Sequence, residues 1–167
     1  MLYARGVNIN MVYGAIDEKS VDGYTLMGRV FDAIQNKQME YNWLITNVEC
    51  LIDRIAECFM NNDYCWLTGE ELTKIVREDD GQWIWAVLSG FEKDISLSEV
   101  LQYPLPHADG YQGFWKNPVS VQHPLAAVEI VPWDSTLTLF FSRRAELVQD
   151  FLHFFPLSEN LLTYNQI

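Results

Sequence analysis

Residues 68–88 read TGEELTKIVREDDGQWIWAVL, and the reading of this stretch decides the fold. Thr68 with Glu71 three positions on has the form of a capping box, in which each side chain satisfies a free amide at a helix start. Leu72, Ile75 and Val76 continue at helical spacing and mark one apolar stripe. Glu78-Asp79-Asp80-Gly81 predicts a turn. Trp83 to Leu88 is a near-continuous apolar run of strand length, which predicts a central strand buried on both faces.

Upstream, residues 4–12 alternate, with Val7, Ile9 and Met11 on one side and Asn8 and Asn10 on the other. This predicts a half-buried strand that ends at Tyr13-Gly14. Leu26, Met27, Val30, Phe31 and Ile34 fit a helix. Residues 40–48 return to alternation, with Tyr41, Trp43 and Ile45 on one face. A short helix is expected in 51–60 and a short strand over Asp63 to Leu67.

Downstream, Ser96 and Glu99 form a second candidate capping box. Residues 103–124 carry Pro104, Pro106, Pro118, Pro124, Gly110 and Gly113, and form the longest irregular stretch. Loops of that length are uncommon and often functional. Ala126 to Val131 and Thr136 to Phe141 predict a hairpin around Pro132-Trp133-Asp134-Ser135. Ser142 is a candidate cap for a helix with Leu147, Val148, Phe151, Leu152 and Phe155 on its apolar face. The whole predicts one α+β domain over 1–167, with a mostly antiparallel sheet and helices packed on it.

Chemistry-bearing motifs are sparse. No Walker loop, dinucleotide fingerprint, GxSxG or HExxH is present. His107, Asp109 and His123 could ligate one metal, but their spacing follows no known ligand pattern. Cys50, Cys58 and Cys65 are odd in number and contain no CxxC, so a disulfide framework is not expected. They lie amid acids, which disfavour a thiolate nucleophile. No catalytic residue, metal or cofactor is assigned. No signal-peptide pattern and no membrane-length apolar run is evident, which suggests a cytoplasmic chain with no membrane partner.

Charge is the strongest remaining signal. The chain of 167 residues carries a net charge of −12, which repels phosphate backbones and argues against direct nucleic-acid binding. Residues 49–99 hold twelve acids against four bases, a net charge of −8 and two thirds of the total. On one face these acids would recruit a basic protein; they equally fit a solvated outer surface. The candidate partner-binding residues are Glu70, Glu71, Glu78, Asp79, Asp80, Glu92 and Asp94, with Asp109, Tyr111, Phe114 and Trp115 from the long loop. The rings are either interface anchors or a plug that closes one end of the core.

A small, acidic, single-domain chain without catalytic motifs resembles bacterial toxin-immunity proteins of the contact-dependent growth inhibition type. That resemblance implies a non-enzymatic inhibitor that binds its cognate toxin domain, typically a basic nuclease, and blocks it by shape and charge. Arg5-Gly6-Val7-Asn8-Ile9, Tyr13-Gly14 and Asn42-Trp43-Leu44-Ile45, continued by His123-Pro124-Leu125 and Val128-Glu129-Ile130, also resemble a small uncharacterised bacterial domain family. The alternatives are a small metal-assisted hydrolase using the 103–124 loop and a regulatory module that homodimerises through exposed rings.

Overall fold

A computed structural model describes residues 11–20 and 25–166. Seven strands form one antiparallel sheet: β1 (Tyr13–Asp17), β2 (Tyr41–Cys50), β3 (Tyr64–Thr68), β4 (Trp83–Glu92), β5 (Val128–Trp133), β6 (Leu137–Ser142) and β7 (Glu159–Asn160). Their order across the sheet is β3-β2-β4-β5-β6-β1-β7. The helices are α1 (Met27–Ala33), α2 (Asp53–Cys58), α3 (Gly69–Glu78), α4 (Leu97–Val100), α5 (Ala145–Phe154) and α6 (Leu161–Tyr164). The expected α+β class with a mostly antiparallel sheet is what the chain adopts.

The two faces of the sheet are covered differently. Alternation sends Trp43, Leu88, Val128, Ile130 and Phe140 to one side, where they meet Phe31 of α1, Ile55 of α2, Leu72 and Val76 of α3, and Phe151 of α5. The neighbouring positions Val87, Val131, Leu139 and Phe141 point the other way, onto Ala108, Phe114 and Leu161. Leu44 and Phe91 share that second side with Val100 and Ala126. One face is thus roofed by helices. The other is roofed by α4, α6 and the long irregular stretch between α4 and β5.

Both capping boxes form. Thr68 Oγ1 accepts from Glu71 N at 3.1 Å, and Glu71 Oε2 accepts from Thr68 N at 3.0 Å. Ser96 and Glu99 do the same at 3.2 and 2.8 Å. Gly69 follows the first cap because a Cβ there would lie 2.6 Å from Met39 Cα, so only glycine lets α3 seat on the 3-10 turn Lys37–Glu40 that leads into β2. The hairpin turn holds Asp134 and Ser135 at φ 52° and 57°, and Thr136 N closes it on Trp133 O at 3.1 Å.

Four expectations need correction or fall outside the structure. Residues 4–10 lie outside the described residues. Tyr13-Gly14 opens β1 and does not end a strand; Gly14 is there because Leu161 and Val119 side chains approach to 3.0 Å of a would-be Cβ. Ser142 ends β6, and the residue that caps α5 is Arg144, whose N–H donates to Ser142 Oγ at 2.9 Å. Cys58 and Cys65 are joined as a disulfide, with their Cα atoms 5.7 Å apart. An odd cysteine count argues against a full framework but is silent about one pair that the fold brings together.

Candidate functional site

The four bases of 49–99 are tied into the helix-covered half of the molecule by ion pairs. Arg54 of α2 reaches Glu78 of α3 at 2.8 Å, and Lys74 reaches it at 3.9 Å. Arg77 holds Asp32 of α1 at 2.7 Å. Lys93, just after β4, holds Glu70 at 2.9 Å, and this hydrogen bond pulls the Glu70 carboxyl below its ordinary range. All four bases of the stretch are therefore engaged. Among the described residues, ten of its twelve acids have no ion-pair partner.

The candidate residues divide as follows. Glu70, Glu71, Glu78, Asp79, Asp80, Glu92 and Asp94 are exposed and sit on or beside α3 and the end of β4. Glu71 is committed to its cap. Asp80 accepts from Gly28 N at 3.0 Å, and burial raises its pKa. Glu92 is raised by burial and by the nearby Asp94. It faces Tyr41 across the β2–β4 ladder, beside Glu40 and Arg144, which pair at 2.6 Å. Glu99 departs from this group, because its helix covers the opposite face of the sheet.

The ring residues are on that opposite face, so the structure does not bring them to the acids of α3. Phe114 is 1% exposed and stacks on Phe141 with centroids 5.8 Å apart. It is the core plug and not an interface anchor; a ring between glycines in a loop gives no hint of which way it points. Tyr111 is half-buried edge-on against Phe114 at 4.7 Å, and Trp115 against Trp133 at 5.7 Å. Asp109 is exposed, its N–H donating to Asn47 Oδ1 at 3.3 Å.

The loop is pinned by a buried carboxylate that sequence reasoning did not single out. Glu129 of β5 is completely buried and points away from the helices. It accepts from Ser89 Oγ at 3.1 Å, from His123 N at 3.2 Å and from Gln122 N through a short contact. Burial pushes its pKa up to about 7, against these hydrogen bonds and the Arg143 charge. Gln122 then holds the backbone of His107 at both N–H and C=O, at 2.8 and 2.9 Å. An acid between Val128 and Ile130 reads as an outward strand position, so only the long loop over it explains its burial.

His123 is 1% exposed and spends both ring nitrogens. Nδ1 accepts from Leu125 N at 3.1 Å, so Nε2 is the protonated nitrogen that donates to Val100 O at 2.9 Å. Burial lowers its pKa. The His107, Asp109, His123 trio is not assembled as ligands: His107 Nδ1 meets the Asp109 carbonyl oxygen at 2.8 Å. Among the described residues no group of three or more His, Cys, Asp or Glu could hold a metal ion. The largest cavity described, about 280 Å³, is an apolar groove along Met11–Gly14, Asn160 and Leu162, closed by Pro118 and Val119 of the long loop.

No protein-family model, no curated protein and no solved structure matches this chain. Among the described residues no helix is long and apolar enough to cross a membrane.

Proposed function

We propose that this protein binds a basic protein partner through the acidic surface of α2, α3 and the end of β4, and that it acts as an inhibitor of a bacterial toxin domain, in the manner of an immunity protein. The observation that carries this reading is the charge surplus. Every base of 49–99 is already engaged in an ion pair, while Asp53 and Glu57 of α2, Glu71 and Asp79 at α3, and Asp80, Glu92 and Asp94 carry none among the described residues. A partner's lysines and arginines would find carboxylates whose local counter-charges are already committed elsewhere. Such a surface raises the rate of encounter more than the final affinity.

The ring residues contribute nothing to this contact. Phe114 belongs to the core, and Tyr111 and Trp115 lie on the other face. The reading therefore rests on carboxylates, chiefly Asp79, Asp80, Glu92 and Asp94, which carry no ion pair among the described residues; Glu71 is shared with its cap, and Glu70 and Glu78 with Lys93 and Arg54.

The test co-expresses this chain with a basic toxin nuclease domain, sought among the neighbouring genes, and purifies the two together. The association rate is expected to fall by about tenfold or more when salt is raised severalfold. Joint substitution of Glu70, Asp79 and Asp94 by their amides slows association and leaves dissociation nearly unchanged. An association rate indifferent to salt and to these amides sinks the proposal.

A further inference from the structure

The Cys58–Cys65 bond joins the end of α2 to the edge strand of the sheet. Among the described residues β3 pairs on one side only, with β2. α2 has six residues, no side-chain cap at its start, and one fully buried side chain, Ile55. A helix this short is not stable on its own in water. Ile52 and Ile55 hold its first turn to the core at 0% exposure. Beyond Ile55, the segment is exposed at Ala56, Glu57, Met60, Asn61, Asn62 and Asp63. Its holds there are half-buried Phe59, the disulfide itself and an exposed hydrogen bond from Asn62 Nδ2 to Cys58 O at 3.3 Å; just before it, Arg54 pairs with Glu78 at the surface. Exposed pairs of that kind contribute little. The disulfide is therefore the principal tie on residues 57–63.

We propose that the Cys58–Cys65 disulfide is a redox-controlled latch: reduction by a dithiol releases the end of α2 and the 59–63 connection from β3, and alters the acidic surface to which α2 belongs. The second half of this inference rests on the proposed partner-binding role; the first half does not. The reducing thiolate attacks Cys58 Sγ, because Cys58 is half-buried while Cys65 is 2% exposed. This forms a mixed disulfide at Cys58 and expels the Cys65 thiolate, which takes up a proton. The second thiol of the reductant then attacks the mixed disulfide, closes its own S–S bond and frees Cys58. Two electrons pass from the dithiol to the protein disulfide. Cys50 takes no part: it is half-buried, and burial raises its thiol pKa.

In a reducing compartment, such as the cytoplasm that the sequence suggests, the latch is open; in an oxidising one it is closed. Alkylation of the unfolded protein without reductant is expected to label Cys50 alone, and after dithiothreitol all three cysteines. Amide hydrogen exchange then compares the two forms with no partner present. The amides of Phe59 and Met60, which donate to Ala56 O and Glu57 O, are expected to exchange at least about tenfold faster on reduction. Those of β5 and β6 do not change. A Cys58→Ser/Cys65→Ala variant matches the reduced protein and ignores dithiothreitol. Three labelled thiols before reduction, or equal exchange in the two forms, overturns the latch. Salt-dependent toxin binding by the oxidised protein tests the acidic surface separately, so either idea can fail while the other stands.

Discussion

The two roofs of the sheet use polar residues in opposite ways. On the helix side, charges lie in water and pair at the surface: Arg54–Glu78, Arg77–Asp32, Lys93–Glu70. On the loop side, several polar groups are buried: Glu129, His123 and Ser89 all lie at or near zero exposure. The difference follows from what each roof supplies. Helices satisfy their own amides and need only an apolar stripe. A long irregular segment brings many unpaired N–H groups onto an apolar sheet, and each must find an acceptor. Glu129 supplies acceptors for two of these amides, at Gln122 and His123. The loop face is thus built for order, and the helix face is left free to carry charge.

The sharpest way to break this contrast is to remove the plug. Phe114→Ala is expected to cost about 3–5 kcal/mol in urea unfolding, as for buried aromatics generally. A stable Phe114→Ala protein that had lost partner binding would return the ring to an interface. Next is the pH response of Glu129. Its folded pKa of about 7 lies above the ordinary 4.5. Its stabilising share is therefore complete below pH about 4.5 and is lost as pH rises through about 7, roughly 3 kcal/mol in all. Glu129→Gln should flatten that part of the stability profile. The variant is expected to be less stable than the parent at pH 5 and to close most of the gap at pH 8. A parallel offset at every pH would show that Glu129 does not titrate in this range.

The cap of α3 gives a smaller effect. Thr68→Ala removes the acceptor for Glu71 N and is expected to cost about 1 kcal/mol. The loss should appear as a lower urea midpoint with an unchanged slope.

Much of the fold was legible because its signals are local. The capping boxes at Thr68 and Ser96 depend on residues three apart, and both formed as read. Apolar alternation placed Tyr41, Trp43 and Ile45 together on the helix side. The errors lie where long-range contacts decide. Gly14 looked like a strand end, but it is a strand residue under the close approach of Leu161. Cys58 and Cys65 looked unpaired until α2 and β3 brought them together. Of the candidate site, the acids of α3 were legible as surface, since solvated charge at helix starts and turns is the common outcome. The burial of Phe114 and Glu129 was not, because a loop's sequence does not state which face of the sheet it covers.

The finest comparison is between surface charge as a source of stability and surface charge as a means of recognition. Glu70 and Lys93 meet at 2.9 Å but keep side-chain exposures of 61% and 42%. Water screens such a pair, and ordering two long side chains offsets part of the attraction. A double-mutant cycle with Glu70→Gln and Lys93→Met is therefore expected to give a coupling of about 0.2–1 kcal/mol, shrinking further in high salt. Lys93→Met alone should do more to binding than to folding, since it releases Glu70 and makes the surface more negative. Faster association with a basic partner, at nearly unchanged stability, is the expected pair of results. A coupling well above 1 kcal/mol would mean that these acids brace the fold, and the contrast between the two faces would lose its basis.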